Sequence, residues 1–128
     1  MSEDDIDLEF RDGRPPEQGG YPGHMPGRRL DTTAGIVCEY DVDVTLRDGV
    51  DLYVDVFRPE GLTDAPVLIA WAPYGKHQPE SKDWENRPGS GVAAAGLSEY
   101  TIFEGPDPAY WCSKGYAVVH ADPRGAWG

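Results

Sequence analysis

The side chains best suited to take part in a reaction lie in one short stretch, PYGKH, at residues 73–77. Tyr74 could donate a hydrogen bond through its phenol, Lys76 could attract a substrate, and His77 could act as a general base. Each could also have an ordinary structural role. A tyrosine at a strand end, for example, usually buries its ring and exposes its hydroxyl to solvent. We expect Lys76 to be a solvent-exposed residue that keeps the loop hydrated. His120 lies within an apolar strand pattern, where we expect a hydrogen-bonded structural histidine.

Composition and charge exclude several classes of partner. The chain has 128 residues and a formal net charge of −12, so it repels nucleic acid phosphates and anionic lipid surfaces. The N-terminus is acidic where a signal peptide would be basic, and no apolar run approaches the roughly 18 residues of a membrane span. Cys38 and Cys112 are too few for a disulfide framework and are expected to be buried thiols. The sequence therefore predicts a cytoplasmic protein that binds neither nucleic acid nor membrane.

The chain divides into a tail and a folded part. Residues 1–31 contain many prolines and glycines and almost no aliphatic side chains, so they offer no face to bury. We predict a flexible or extended tail there, and a folded domain over residues 32–128.

Two alternating segments predict an antiparallel hairpin, with strands over residues 36–47 and 50–58. Asp48-Gly49 joins them, and the glycine supplies the positive φ that a tight turn needs. The alternation places Val42, Val44 and Leu46 on one face and Asp41, Asp43 and Thr45 on the other. Pro59 closes the second strand because it cannot donate to a ladder.

A strand, a helix and a second strand follow. The run from Val67 to Ala72 is apolar on both faces, which predicts a strand buried between two layers. Asp107 is the expected N-cap of a short helix that begins at Pro108, has Lys114 in its last turn, and is followed by Gly115. Residues 116–121 form the next apolar run. This order predicts a parallel crossover and an α/β fold.

The ordered series RDGVDLYVDVFRPEG, PVLIAWAPYGKH and FEGPDPAYWCSKGYAVVHADPRG resembles the N-terminal part of the CocE/NonD hydrolases. These share their catalytic domain with the Xaa-Pro dipeptidyl peptidases. The resemblance covers about residues 37–128, and it implies the first, incomplete part of an α/β-hydrolase sheet. It also implies a serine hydrolase that acts on small esters, amides or Xaa-Pro peptides without a metal or organic cofactor.

The resemblance assigns roles to several residues. Tyr74 would donate its hydroxyl to the oxyanion hole, and Pro73 and Gly75 would shape the turn that aims it. Asp122 begins a D-x-R-G turn after the last strand. In this turn, Arg124 would hold loops together through paired hydrogen bonds, as a structural residue near the site.

The family's nucleophile lies in a G-x-S-x-G elbow that this chain lacks. None of its serines has the flanking glycines of that motif; they are Ser2, Ser81, Ser90, Ser98 and Ser113. We therefore expect the nucleophile, acid and base to lie outside residues 1–128, and this chain alone to be inactive. In the family's strand order, 1-2-4-3-5, the missing fifth strand would leave residues 67–71 as an unpaired apolar edge.

Two other functions remain open from the residues. The chain could be a truncated, non-catalytic module that pairs its open sheet edge with a partner or a second copy, as a homo-oligomer. Nucleotide binding is disfavoured, because no G-x-G-x-x-G follows either apolar strand and phosphate would have no cradle.

Overall fold

The computed structural model describes residues 25–76 and 96–125, which form one mixed sheet and a short helix. The strands are β1 (Gly27–Asp31), β2 (Ile36–Thr45), β3 (Asp51–Pro59), β4 (Val67–Trp71) and β5 (Ala117–Ala121), with helix α1 (Pro108–Cys112) between β4 and β5. Their order in the sheet is β1-β2-β3-β5-β4. All neighbours are antiparallel except β4 and β5, which are parallel. The predicted hairpin, the parallel crossover and the interleaved strand order are confirmed.

The turn between β2 and β3 forms where the sequence predicts it. Gly49 has φ +85°, and the Leu46 N–H donates to the Val50 carbonyl at 2.8 Å. Thr45 lies opposite Asp51 in the ladder. Local turn chemistry therefore sets the register of this hairpin.

A β-bulge interrupts the predicted alternation of β2. The register shifts between Glu39 and Val42, and Asp41 adopts a φ of +49°. Asp41 is consequently turned inward and is only 1% exposed, whereas Asp43 on the same predicted face is exposed. The expectation that Asp41 shares a face with Asp43 and Thr45 is wrong, because the extra residue of a bulge re-aims the side chain.

Strand β1 was not predicted, since its sequence lay in the expected tail. Its five residues pair with β2 from Gly27↔Tyr40 to Asp31↔Ile36. The segment GRRLD carries a single aliphatic side chain, Leu30, which is 47% exposed. Backbone pairing at a sheet edge needs no buried face. An edge strand of this kind therefore cannot be predicted from a hydrophobic pattern.

Helix α1 begins as predicted and ends earlier. The Asp107 side chain accepts hydrogen bonds from the Ala109 and Tyr110 N–H groups, which makes it the N-cap. The C-cap is Ser113, so Lys114 lies beyond the helix instead of in its last turn. The Lys114 N–H bonds to the Trp111 carbonyl three residues back, a tighter turn that ends the α-helical pattern.

The core lies between α1 and the central strands. Its buried side chains are Ile36, Cys38, Phe57, Tyr100, Cys112 and Val118. Both cysteines are free and buried, as predicted. Burial raises the pKa of the Cys112 thiol to about 11.

Cys112 is therefore expected to resist alkylation in the folded protein. At about pH 8 its thiol stays protonated, and iodoacetamide reacts with the thiolate. The measurement is the rate of Cys112 modification, followed by peptide mass spectrometry in native buffer and in denaturant. Modification at the same rate in both would contradict the burial seen here.

Strand β4 is the edge of the sheet, as we predicted from the absence of the family's fifth strand beside it. It is not buried between two layers, however. Val67, Ile69 and Trp71 are 52%, 65% and 61% exposed, because no part of the chain that the structure describes covers that face. We call these three side chains the β4 apolar face.

The isolated 128-residue chain is expected to be poorly soluble or partly unfolded because of the β4 apolar face and its unpaired edge. Ile69→Lys should reduce self-association, measured by light scattering of the purified chain. Leu30→Lys, at the opposite edge of the sheet, is the matched control and should change association much less. A sharp cooperative melt of the unmodified monomer would contradict this expectation.

Candidate functional site

The turn after β4 carries Tyr74 out of the sheet. Gly75 has φ +77°, a conformation that favours glycine, and its N–H lies 3.5 Å from the Ala72 carbonyl. Tyr74 is 41% exposed. Its ring meets the Phe103 ring edge-on, with centroids 4.8 Å apart and planes at 76°. One side of the phenol is thus supported by an aromatic neighbour that the sequence did not single out.

Lys76 is buried in an ion cluster instead of solvating the loop. Its Nζ lies 2.6 Å from Asp41 Oδ1 and 2.7 Å from Asp122 Oδ2, and its side chain is 0% exposed. Its backbone N–H donates to Asp122 Oδ1 at 2.8 Å. The expectation of a solvated lysine is wrong, because the bulge in β2 and the end of β5 bring two carboxylates to this point. We call Asp41, Lys76 and Asp122 the ion cluster.

A further carboxylate supports the ion cluster from β3. Asp55 is 2% exposed, and its Oδ1 accepts the backbone N–H of Asp41 at 2.9 Å. The second oxygen of Asp41 accepts the N–H of Met25. Sequence reasoning did not predict the burial of Asp41 and Asp55, since both are acidic residues within alternating strand patterns. A positive φ at a non-glycine residue cannot be read from such a pattern.

The D-x-R-G turn begins at the same end of β5. Asp122 belongs to the ion cluster, and Gly125 has φ +74°. Arg124 donates a hydrogen bond to Asp48 in the β2–β3 turn, which is the main cause of the lowered pKa of Asp48. Both side chains are about half exposed. Arg124 therefore joins two loops in the structure.

Other candidate groups have structural roles or lie elsewhere. His120 is 1% exposed, its Nε2 lies 3.3 Å from the Pro106 carbonyl, and its ring packs 5.2 Å from that of Phe57. This matches the expected structural histidine.

Ser98 Oγ donates to Asp107, and Ser113 Oγ donates to the Tyr110 carbonyl. His77 falls outside the described residues, as do Ser2, Ser81 and Ser90.

Two classes of site are absent from the described ranges. Residues 25–76 and 96–125 hold no group of three or more His, Cys, Asp or Glu side chains that could bind a metal ion. Within the same ranges, no helix is both long enough and apolar enough to cross a membrane.

The mixed sheet with its single crossover helix is similar to solved hydrolase structures. A CocE/NonD family hydrolase from Staphylococcus aureus is 33% identical over 67% of this chain, with a TM-score of 0.56. A second structure of a CocE/NonD family hydrolase from that organism is 29% identical over the same share, with a TM-score of 0.51. The chain spans 15% of the length of each. The fold is thus α/β and incomplete, similar to the N-terminal part of these hydrolases.

The family follows from a match to the sequence itself. Residues 48–128, well over half of the chain, match the model of the X-Pro dipeptidyl-peptidase (S15) family. The chain belongs to this family, and the resemblance stated from its motifs is confirmed. No curated protein gives a significant match.

Proposed function

We propose that this chain is the N-terminal portion of a serine hydrolase of the CocE/NonD type that cleaves ester or amide bonds through an acyl-enzyme. The observation that carries the proposal is the position of Tyr74. It follows the carboxyl end of β4, two residues before the buried Lys76, and is 41% exposed. Ligands of open α/β sheets bind outside the carboxyl ends of the strands.

In this proposal Tyr74 supplies one donor of the oxyanion hole. A serine oxygen attacks the substrate carbonyl, the carbonyl oxygen takes the negative charge, and the phenol O–H donates to it from about 3 Å. The intermediate collapses, the alcohol or amine leaves with a proton, and water then releases the acyl group. The serine, its acid and its histidine come from outside residues 1–128.

The substrate class we propose is a small ester or amide, or a short peptide of the Xaa-Pro type. Family membership supports the peptide, and the CocE/NonD neighbours support a hydrolase more broadly. We propose a cytoplasmic enzyme that works without a cofactor, since an acyl-enzyme mechanism needs none.

A second function is favoured by the β4 apolar face, which exposes Val67, Ile69 and Trp71. In this second proposal the chain is a non-catalytic module that pairs the edge at β4 with another chain. Such a module would form a defined oligomer and would carry no reactive serine.

One experiment separates the two functions. The native polypeptide is recovered from its source with an antibody against residues 1–31, its intact mass is measured, and it is treated with a fluorophosphonate probe for activated serines. A mass well above 14.0 kDa with covalent labelling downstream of Gly128 supports the hydrolase. An unlabelled polypeptide of 14.0 kDa overturns it and favours the interaction module.

A further inference from the structure

We infer that Asp122 is a positioning residue for Tyr74, acting through Lys76; this inference rests on the proposed oxyanion role of Tyr74. One carboxylate holds both ends of one lysine. Asp122 Oδ1 accepts the Lys76 backbone N–H at 2.8 Å, and Oδ2 accepts from its Nζ at 2.7 Å. The first of these bonds holds the main chain itself, two residues after Tyr74.

The sheet places Asp122 where it can do this. Trp71, the last residue of β4, lies opposite Ala121, the last residue of β5, in the parallel ladder. Asp122 therefore leaves β5 where the Tyr74 turn leaves β4. The Asp122 N–H donates to the Tyr53 carbonyl of β3 at 3.3 Å, so its own backbone is held by a third strand.

Lys76 extends the same connection to β2. Its Nζ binds Asp41 at 2.6 Å, and Asp41 is fixed by the bulge and by Asp55. The turn that carries Tyr74 is thus tied through one lysine side chain to the carboxyl end of β5 and to the bulge of β2. These contacts are buried, with Lys76 3% and Asp122 4% exposed, so water does not screen them.

The need to position the Tyr74 turn explains these buried charges better than a contribution to the stability of the fold does. Well-packed apolar side chains of similar volume often stabilise a fold as well as buried ions do. Apolar contacts, however, have no direction, whereas two hydrogen bonds to one carboxylate define a distance and an angle. A displacement of about 1 Å in a catalytic group can cost about 10²-fold in rate.

The test is a double-mutant cycle of Asp122→Asn and Tyr74→Phe in the complete polypeptide, with 4-nitrophenyl acetate as the probe substrate. In Asp122→Asn the amide oxygen can still accept the Lys76 N–H, but the amide NH₂ then faces the lysine Nζ, so the second contact is lost. We expect kcat to fall about 10- to 10²-fold with little change in KM. In the Tyr74→Phe background, the same substitution should lower kcat by less than about twofold.

Glu39→Gln is the matched control, because it removes one carboxylate charge in β2 from the ion pairs with Arg28 and Arg58. It should leave kcat unchanged in both backgrounds. If Asp122→Asn does not fold, the cycle is run with the neutral triple variant Asp41→Asn/Lys76→Met/Asp122→Asn. The same non-additive loss is expected from it.

The outcomes separate the inference from the proposed function. If Tyr74→Phe lowers kcat and the two losses simply add, Asp122 has a general structural role and only the inference is overturned. An unchanged kcat in Asp122→Asn overturns it too. If Tyr74→Phe itself leaves kcat unchanged, the oxyanion role is wrong and the inference falls with it.

Discussion

Tyr74→Phe is expected to lower the kcat of the complete polypeptide about 10²- to 10³-fold, the usual cost of removing one oxyanion-hole donor. The substitution keeps the ring that packs against Phe103 at 4.8 Å and removes one hydroxyl. Because that hydroxyl would bind the oxyanion more tightly than the ground-state carbonyl, KM should change little. Steady-state kinetics with 4-nitrophenyl acetate and with a glycyl-proline 4-nitroanilide measure both parameters.

Tyr110→Phe provides the matched control for this prediction. Tyr110 lies on α1 and is 55% exposed. Its substitution also removes one phenol hydroxyl, but at a position distant in sequence from the β4 turn. Its kcat should match that of the unsubstituted enzyme. A kcat within about twofold of the original for Tyr74→Phe would show that the tyrosine is an amphipathic strand-end residue only.

The parts of the fold that the sequence predicted are those encoded locally. The Asp48-Gly49 turn needs only a residue that accepts positive φ, and the start of α1 needs only Asp107 and Pro108. Each of these signals lies within a few residues of the structure it specifies. The same holds for the turn after β4, where Gly75 adopts a positive φ.

The parts that could not be predicted depend on contacts between distant segments. Lys76 looks like a loop residue until Asp41 of β2 and Asp122, which follows β5, are placed against it. Phe103 is far from Tyr74 in the chain, and no periodic pattern connects them. The environment of the candidate site therefore comes from tertiary pairing, and hydrophobic patterning carries no information about which charges will be buried together.

Removing the lysine of the ion cluster should have the largest effect on stability. Lys76→Met removes the ammonium group that lies between two buried carboxylates, those of Asp41 and Asp122. Breaking a buried ion pair in this way costs about 3–5 kcal/mol of the free energy of unfolding. Urea denaturation of the complete polypeptide, followed by tryptophan fluorescence, measures this loss.

Two comparisons decide what the loss means. Lys114→Met removes a lysine that lies 5.5 Å above the exposed Tyr110 ring, and a surface change of this kind should cost about 0.5 kcal/mol or less. Asp41→Asn/Lys76→Met/Asp122→Asn removes all three charges of the ion cluster, and most of the stability should return because neither carboxylate of the cluster is left buried without its lysine. If Lys76→Met costs no more than Lys114→Met, the ion cluster does not hold the β4 turn to the sheet. If the neutral triple variant is stable yet still loses kcat, the charges of the ion cluster serve the geometry of Tyr74 more than the stability of the fold.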